Sequence, residues 1–307
     1  MHPFRFAVQQ GSAASSEAWT ATVRRAEALG YDVLVMPDHL GRQLSPFAAL
    51  AAAAAATTRI RLGSFVFAND YRHPLILARE AATLDFLSGG RFEIGLGAGW
   101  MTRDYRELGM TYDPAPRRID RLEEAIPLIK RLLGGDTVTH RGEHYSLERA
   151  SAGVKPVQKP RPPLAIGGGG PRMLKLAAHE AEIVGLVPGF DADGRVRVRS
   201  ATETATAEKI ALIREAAGDR FEQLEINLWL GDAGLVGSGN SLFGSVSAAA
   251  RWAPTAIYGS PYVLYGTLSA ARERLLRRRD LLGISYYTVP SHAMESMAPL
   301  VGALAGK

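Results

Sequence analysis

The chain has 307 residues, of which 47% are hydrophobic and 22% are charged, a balance typical of a globular protein with a sizeable buried core. It contains no cysteine, which excludes disulfides, thiolate metal sites and a catalytic thiol. The formal net charge is +5, but basic and acidic residues are interleaved, and the arginine-rich residues 272–279 have the spacing of a solvated helix face. This pattern argues against a nucleic-acid-binding protein.

No segment has the features of a secretion signal or a membrane anchor. The first residues pass directly into a strand-like run, without the apolar core and cleavage site of a signal peptide. The longest nearly uncharged stretch, residues 46–58, is too short and too rich in alanine to cross a bilayer. We therefore expect a cytoplasmic protein that has neither membrane nor nucleic-acid partners.

Strand-like and helix-like segments alternate along the chain, which predicts parallel strands joined by helices. In the first part, the predicted strands are residues 4–9, 33–36, 60–68 and 92–96, and the helices are residues 16–29, 46–57, 73–87 and 117–133. In the second part, the predicted strands are residues 164–166, 183–187, 224–230 and 284–289, and the helices are residues 173–179, 203–217, 268–282 and 294–304. Eight such strands predict an α/β protein with a single (β/α)₈ barrel, the TIM barrel, over residues 1–307.

The alternation is interrupted at two places. Between residues 134 and 163, two short strand-like runs and several prolines indicate a hairpin and an extended loop inserted between strand 4 with its helix and strand 5. A loop of this length in a compact domain is typical of an insertion over a functional face. Residues 231–244 are rich in glycine and serine and are predicted to form a loop.

The second predicted strand ends in Pro37, Asp38 and His39. In parallel α/β proteins the carboxyl ends of the strands carry the chemistry, so this carboxylate and this imidazole are candidate site residues. The fifth predicted strand runs into four glycines, residues 167–170, and then Pro171, which suits the start of a helix. Without side chains at the glycines, backbone N–H groups can approach an anion at the positive end of the helix dipole.

Two other patterns carry less information. Gly95, Gly97 and Gly99 form a glycine-rich turn that lacks the spacing of a Rossmann dinucleotide site. His140 and His144 are four residues apart but do not lie in a regular helix, so we expect no metal site there.

Five motifs occur in a characteristic order. They are Met36-Pro37-Asp38-His39, Arg61-Leu62-Gly63-Ser64-Phe65-Val66, Gly95-Leu96-Gly97-Ala98-Gly99-Trp100, Pro160-Arg161-Pro162-Pro163 before the four glycines, and Leu282-Gly283-Ile284-Ser285-Tyr286. With these motifs the chain resembles the bacterial luciferase-like superfamily, and within it the oxidoreductases that use the deazaflavin coenzyme F420. The resemblance implies a (β/α)₈ barrel with the cofactor at its carboxyl end, a small-molecule substrate and a homodimer.

The resemblance also implies which residues contact the cofactor. A non-proline cis peptide is implied at Phe65-Val66, behind the central ring of the deazaflavin, although Phe65 stands where a smaller residue is common. The implied cofactor contacts are Asp38, His39, Phe65, Val66, Ala68, Ala98, Gly99, Arg103, Gly169, Gly170, Arg172 and Met173. For Arg103, an ion pair with Asp104 or Glu107 is an equally weighted alternative.

Within this resemblance His39 is the candidate catalytic residue, because an imidazole can hold or release a proton near neutral pH while hydride is transferred. Asp38 is expected to orient His39 or to bind the cofactor. The candidate substrate contacts are Gln9, Trp100, Tyr105 and Tyr145. Trp100 stands where the sugar-phosphate dehydrogenases of the family have a glutamate, which argues for an apolar or planar substrate.

The main hypothesis is therefore an F420-dependent oxidoreductase acting on a C=C, C=N or carbonyl/alcohol group of a small organic molecule, such as a natural-product tailoring reductase. A monooxygenase that uses reduced FMN and O₂ on the same fold is the first alternative. A flavin-binding protein without catalytic activity is the second alternative, because fold alone does not fix function.

Overall fold

Eight parallel strands close into a barrel in a computed structural model, which describes residues 1–191, 194–236 and 259–307. The barrel strands are Arg5–Gln9 (β1), Val33–Met36 (β2), Arg61–Ser64 (β3), Phe92–Gly97 (β4), Leu164–Gly168 (β5), Ile183–Leu186 (β6), Glu225–Trp229 (β7) and Ile284–Pro290 (β8). Each strand pairs with its neighbours in chain order, and β8 pairs with β1. The predicted (β/α)₈ barrel is confirmed.

Helices surround the barrel at the predicted places, with bounds that differ by a few residues. They are Ser16–Ala28 (α1), Pro46–Ala56 (α2), Pro74–Leu87 (α3), Thr102–Glu107 (α4), Ala115–Gly134 (α5), Pro171–Glu180 (α6), Glu203–Ala217 (α7), Leu268–Leu282 (α8) and Met294–Leu304 (α9). Polar caps explain several starts, since the side chains of Ser15, Thr202 and Thr267 accept backbone N–H groups of the first turns of α1, α7 and α8. The short helix α4 is not among the predicted elements.

The third strand differs from the prediction of one continuous strand over residues 60–68. β3 ends at Ser64, the peptide between Phe65 and Val66 is cis, and pairing with β4 resumes at Phe67–Ala68. A three-residue 3₁₀ turn, Asn69–Tyr71, follows immediately. The chain thus bends at the carboxyl end of the barrel, where the candidate site residues lie.

The two predicted interruptions have different structures. In the first, Val138–Arg141 and Ser146–Ala150 pair as an antiparallel hairpin, as predicted. In the second, Asp232–Leu235 is a strand that pairs in parallel with Val263–Gly266, although a loop is predicted over residues 231–244. The remainder of that predicted loop, residues 237–244, lies outside the described residues.

Charged side chains fill the amino end of the barrel. Arg5 at the start of β1 contacts Glu93 of β4 and lies 2.5 Å from Glu225 at the start of β7. Arg61 at the start of β3 also reaches Glu93, at 2.5 Å. The ring of Tyr286 packs against the Arg5 guanidinium, 4.6 Å away. These ionic contacts close the end of the barrel opposite the candidate site.

In the described ranges of the chain, every helix is too short or too polar to cross a membrane.

Candidate active site

The imidazole of His39 and a buried carboxylate form the centre of the candidate site. His39 follows β2, and its Nδ1 lies 2.7 Å from Oδ2 of Asp104 in α4, the helix that follows β4. The Asp104 side chain is 0% exposed, whereas that of His39 is 22% exposed. The carboxylate is therefore inside the protein, and the imidazole is accessible at the carboxyl end of the barrel.

Tyr71 and Arg103 complete the surroundings of Asp104. The Tyr71 hydroxyl donates to Oδ2 of Asp104 at 3.3 Å, and Nη2 of Arg103 lies 3.5 Å from Oδ1. Burial raises the pKa of Tyr71 well above its ordinary value, and the neighbouring Asp104 raises it further. Tyr71 consequently keeps its proton and acts as a donor to Asp104.

The partners of Asp38 are Arg72 and the backbone of Ala68 rather than His39, so of its two expected roles the structure does not supply the orienting contact. Arg72 donates to both of its carboxylate oxygens, at 2.6 and 2.9 Å, and the backbone N–H of Ala68 donates to Oδ2 at 3.0 Å. These three bonds take up most of the acceptor positions of the carboxylate, and its expected contact with the cofactor stays a prediction. Asp38 instead fixes the segment after β2 to the segment after β3.

Tyr105 is buried beneath the site and is engaged with the protein, and its expected contact with a substrate stays a prediction. The residue is 0% exposed, and its hydroxyl donates to Oδ2 of Asp70 at 2.8 Å. Arg121 of α5 binds both oxygens of Asp70, at 2.9 and 2.6 Å. The half-buried Tyr145 of the hairpin accepts a hydrogen bond from Asn69 at 2.9 Å. These two tyrosines hold the turn at residues 69–71.

A row of aromatic rings extends from His39 across the carboxyl end of the barrel. Trp100 meets His39 edge-on, with ring centres 5.6 Å apart and an interplanar angle of 88°. Phe190, which follows β6, stacks on Trp100 at 5.1 Å and 22°, and Trp229 at the end of β7 meets Phe190 at 6.0 Å and 69°. Phe190 and Trp229 are not among the predicted site residues, because isolated aromatics at strand ends also occur in cores.

Gln9 connects this row to the barrel. Its Oε1 accepts the indole N–H of Trp229 at 2.9 Å, and its Nε2 lies 3.4 Å from the carbonyl oxygen of Phe65. Both the oxygen and the nitrogen of the Gln9 amide therefore have a partner within the protein. Its role as a direct substrate contact stays a prediction.

Phe65 and Val66 fit between glycines of the neighbouring strands. A Cβ at Gly97 of β4 would lie 2.6 Å from Val66, and one at Gly167 of β5 would lie 2.9 Å from it. A Cβ at Gly185 of β6 would lie 2.8 Å from the Phe65 ring. Because real Cβ atoms do not approach other atoms this closely, the three glycines leave the space that Phe65 and Val66 occupy. Gly185 explains how the large Phe65 is accommodated.

The glycine-rich segment after β5 ends at an uncapped helix. Gly170 is the N-cap of α6, in an extended conformation and with no side chain accepting the first N–H groups. A Cβ at Gly170 would meet nothing within 4 Å, whereas one at Gly169 would lie 2.6 Å from the carbonyl oxygen of Val187. Gly169 is thus required by packing, and Gly170 faces open space at the same end of the barrel as His39.

Arg172 and Met173 differ from each other in their surroundings. The Arg172 side chain is turned to α5, where it contacts Glu123 and lies 2.6 Å from Asp120. Met173 is buried against Gly168. Only the backbone N–H groups of these two residues belong to the uncapped turn.

Ala98, Gly99 and Arg103 follow β4. The carbonyl oxygen of Ala98 lies 3.4 Å from the Tyr105 hydroxyl oxygen, and that of Gly99 accepts the Nε–H of Arg118 at 3.3 Å. Arg103 is exposed and pairs with Glu107 at 3.4 Å in addition to its contact with Asp104. Both ion pairs of the alternative reading for Arg103 are therefore present.

The two histidines of the hairpin have a common partner in α5. Nε2 of His140 lies 2.9 Å from Oε1 of Glu124, and the backbone N–H of His144 donates to Oε2 at 2.9 Å. Within residues 1–191, 194–236 and 259–307, no three histidine or acidic side chains are grouped as metal ligands.

The fold and the site define an α/β-barrel protein with its candidate catalytic groups at the carboxyl ends of the strands. The chain belongs to the luciferase-like monooxygenase family, whose model matches residues 1–226. The expected resemblance is thereby confirmed.

Curated relatives of two kinds are similar to part of the chain. An F420-dependent glucose-6-phosphate dehydrogenase of Microbacterium testaceum is 35% identical over 165 residues, which are 51% of this chain and 48% of that protein. The 4-hydroxyprotoasukamycin monooxygenase of Streptomyces nodosus subsp. asukaensis is 39% identical over 142 residues, 45% of this chain and 38% of that protein. The chain thus matches about half the length, or less, of these relatives.

A solved structure is similar over almost the whole chain. The coenzyme F420-dependent tetrahydromethanopterin reductase of Methanopyrus kandleri has a TM-score of 0.79 at 18% identity, covering 98% of this chain and 99% of that chain. At this identity the likeness supports the fold alone.

Proposed function

We propose that this chain is a coenzyme F420-dependent oxidoreductase that exchanges hydride with a C=C, C=N or carbonyl/alcohol group of a small organic molecule. The observation that carries the proposal is the His39–Asp104 pair, at 2.7 Å, on the same end of the barrel as the uncapped N-terminus of α6. This arrangement offers a proton carrier and an anion-binding segment to one elongated cofactor.

The site residues fit a flavin-like cofactor in two respects. The buried Oδ1 of Asn69 has no hydrogen-bond partner among the described residues, and it can accept an N–H of a polar ring. Gly170 leaves the first N–H groups of α6 open to an anionic tail. The backbone at Gly169, Gly170, Arg172 and Met173 would hold that tail, with Ala98, Gly99 and Arg103 beside the linker.

Bound deazaflavin would supply the hydride chemistry. His39 takes up or releases the accompanying proton at Nε2, which has no protein partner among the described residues. Asp38 is placed to support the site by fixing Ala68 and Arg72 rather than by proton transfer. The rings of Trp100, Phe190 and Trp229 favour an apolar or planar substrate, because stacking needs no charged partner.

An FMN-dependent monooxygenase is the second candidate, supported by the monooxygenase from Streptomyces nodosus at 39% identity. The two functions differ in chemistry, since reduced FMN reacts with O₂ and a deazaflavin reacts poorly with it. Titrating the purified protein with F420 and with FMN, and following cofactor fluorescence, distinguishes them. Tight binding of F420 with weak binding of FMN is expected, and the opposite order would contradict the proposal.

Turnover separates an enzyme from a protein that only binds its cofactor. In the His39→Ala variant we expect the rate of reduction or oxidation of a substrate panel to fall at least about 100-fold, with cofactor affinity unchanged. Unchanged turnover would remove His39 from the mechanism, and no turnover of wild-type protein with any substrate would favour the binding protein.

We also propose a homodimer formed through α2 and α3. Ile76, Phe86 and Leu87 of α3 are exposed, and Ile76 and Leu87 line a groove with Phe47 and Ala51 of α2. Arg79, Glu80 and Thr83 line the same groove, so the face combines exposed apolar side chains with polar ones, as subunit contacts commonly do. Sedimentation velocity at micromolar concentration checks the oligomeric state, and a monomer there would overturn the proposal.

A further inference from the structure

We propose that Asp104 is a positioning residue that fixes the tautomer of His39, so that Nδ1 carries the inner proton and Nε2 is the atom that exchanges protons with substrate. This inference rests on the proposed function and names a residue that the five sequence motifs do not contain.

The position of Asp104 determines which ring nitrogen of neutral His39 carries hydrogen. A carboxylate can only accept hydrogen bonds, and its Oδ2 lies 2.7 Å from Nδ1 of His39. Because this separation is that of a charge-assisted hydrogen bond, Nδ1 is the donor and bears hydrogen. In the neutral imidazole Nε2 is then the bare nitrogen, ready to accept a proton.

Burial makes Asp104 well suited to this role. The side chain is 0% exposed, so water does not compete for Oδ2. The Tyr71 hydroxyl donates to the same oxygen at 3.3 Å and holds the carboxylate in place from the 3₁₀ turn. When Nε2 accepts a proton, the resulting imidazolium lies against this fixed negative charge, which stabilises it.

Other charged groups near the pair are already engaged. Asp38 is bound by Arg72 and Asp70 by Arg121, so neither acid competes for the imidazole. Arg103 approaches the other oxygen of Asp104, Oδ1, at 3.5 Å and can only donate.

Arg103 favours one orientation of an asparagine at position 104. We expect the carboxamide oxygen of Asp104→Asn to face Arg103, which can only donate, and its NH₂ group to face Nδ1 of His39 and the Tyr71 oxygen. An NH₂ group facing Nδ1 donates to it, and His39 then takes the opposite tautomer, with hydrogen on Nε2. The variant retains the size of the side chain but reverses the tautomer.

The test is ¹⁵N NMR of the histidine rings in the full-length protein without cofactor, with the His39→Gln variant used to assign the His39 signals among the seven histidines. Wild-type protein is expected to show hydrogen on Nδ1 of neutral His39, and Asp104→Asn to show it on Nε2. The matched control is Glu107→Gln, an exposed acid of the same helix that pairs with Arg103, which should leave the tautomer as in wild type.

Kinetics with the F420-linked reaction give the second readout. Asp104→Asn is expected to lower kcat roughly 100-fold with KM within about twofold, because it affects proton exchange rather than binding. Hydrogen on Nε2 in wild-type His39 would overturn the inference even if Asp104→Asn failed to fold. A folded Asp104→Asn protein in which both the tautomer and kcat are unchanged would also overturn it. If wild-type protein has no turnover, the proposed function fails, whereas the NMR result still decides the role of Asp104.

Discussion

At the scale of single residues, the uncapped N-cap of α6 allows the anion site to be tested without disturbing the fold. Gly170 has φ −91° and ψ 153°, which other residues adopt readily, and a Cβ there meets nothing within 4 Å. In Gly170→Asp, the new carboxylate can accept the free N–H groups of α6, as aspartate does at helix N-caps.

We expect Gly170→Asp to weaken F420 binding more than about tenfold, since it fills the anion site with a negative charge, while thermal stability stays equal or rises slightly. Gly170→Asn is the matched variant, with the same shape and no charge, and should weaken binding less. Fluorescence titration and thermal melting measure the two quantities. Unchanged affinity in Gly170→Asp would show that the cofactor tail binds elsewhere.

Some site residues can be predicted from the sequence and others cannot. His39 and Gly170 can be found because a short motif stands at a strand end. Asp104 cannot, because its contact with His39 depends on α4, a helix of six residues that periodicity does not reveal. A search of the segments after neighbouring strands for a partner to Nδ1 of His39 would have identified it.

At the scale of elements, the turn after the third strand connects several parts of the site. Asn69 binds Tyr145 of the hairpin, Asp70 binds Arg121 of α5, Tyr71 binds Asp104 of α4, and Arg72 binds Asp38 after β2. The contact of Asp70 with Arg121 provides the test, because Arg121 donates to both oxygens of a buried carboxylate. The Asp70 side chain is 1% exposed and that of Arg121 is 18% exposed.

Replacing Arg121 by methionine leaves the carboxylate of Asp70 buried without its cation. We expect Arg121→Met to lower the free energy of unfolding by about 3–5 kcal/mol, the usual cost of an uncompensated buried charge. Arg131→Met is the control, because it removes an exposed pair with Asp136 and should cost about 0–1 kcal/mol. Urea denaturation compares the two variants, and equal losses would contradict this role of the turn.

The order of strands and helices follows from the sequence because strands and helices alternate with strong caps and apolar runs. The break in the third strand does not follow from this pattern, since Phe65 and Val66 have the composition of an ordinary strand. The space for Phe65 and Val66 at this break is left by Gly97, Gly167 and Gly185, which lie on three different strands. Such long-range packing is not visible in local sequence patterns.

At the scale of the whole molecule, a buried acid at the amino end of the barrel makes the stability depend on pH. Burial raises the pKa of Glu225 to about 7 at the amino end, and this effect outweighs the attraction of Arg5. The unfolded chain has the ordinary, lower value, so the folded state holds the extra proton between pH 4.5 and about 7. The tighter proton binding of Glu225 in the folded state stabilises the fold fully below pH 4.5, and this stabilisation is lost as the pH rises through 7.

We therefore expect the free energy of unfolding to fall as the pH rises from 5 to 7, by up to about 1.4 kcal/mol per pH unit from this group. Glu225→Gln should remove this part of the slope, because glutamine does not titrate. Glu208→Gln, at an exposed position, is the control and should keep it. Urea titrations at several pH values measure the slope, and equal slopes in wild type and Glu225→Gln would contradict the assignment.

The contacts of residues 69–72 limit which segments can be exchanged between this protein and its relatives in chimeras. The consecutive side chains of these residues reach four separate segments, so an insertion or deletion of one residue there would change all four contacts together. A loop graft that brings in only the segment around His39 would meet a foreign arginine, tyrosine and aspartate. Chimeras that transfer the turn, α4 and the hairpin as one block should retain activity where single-loop transplants lose it.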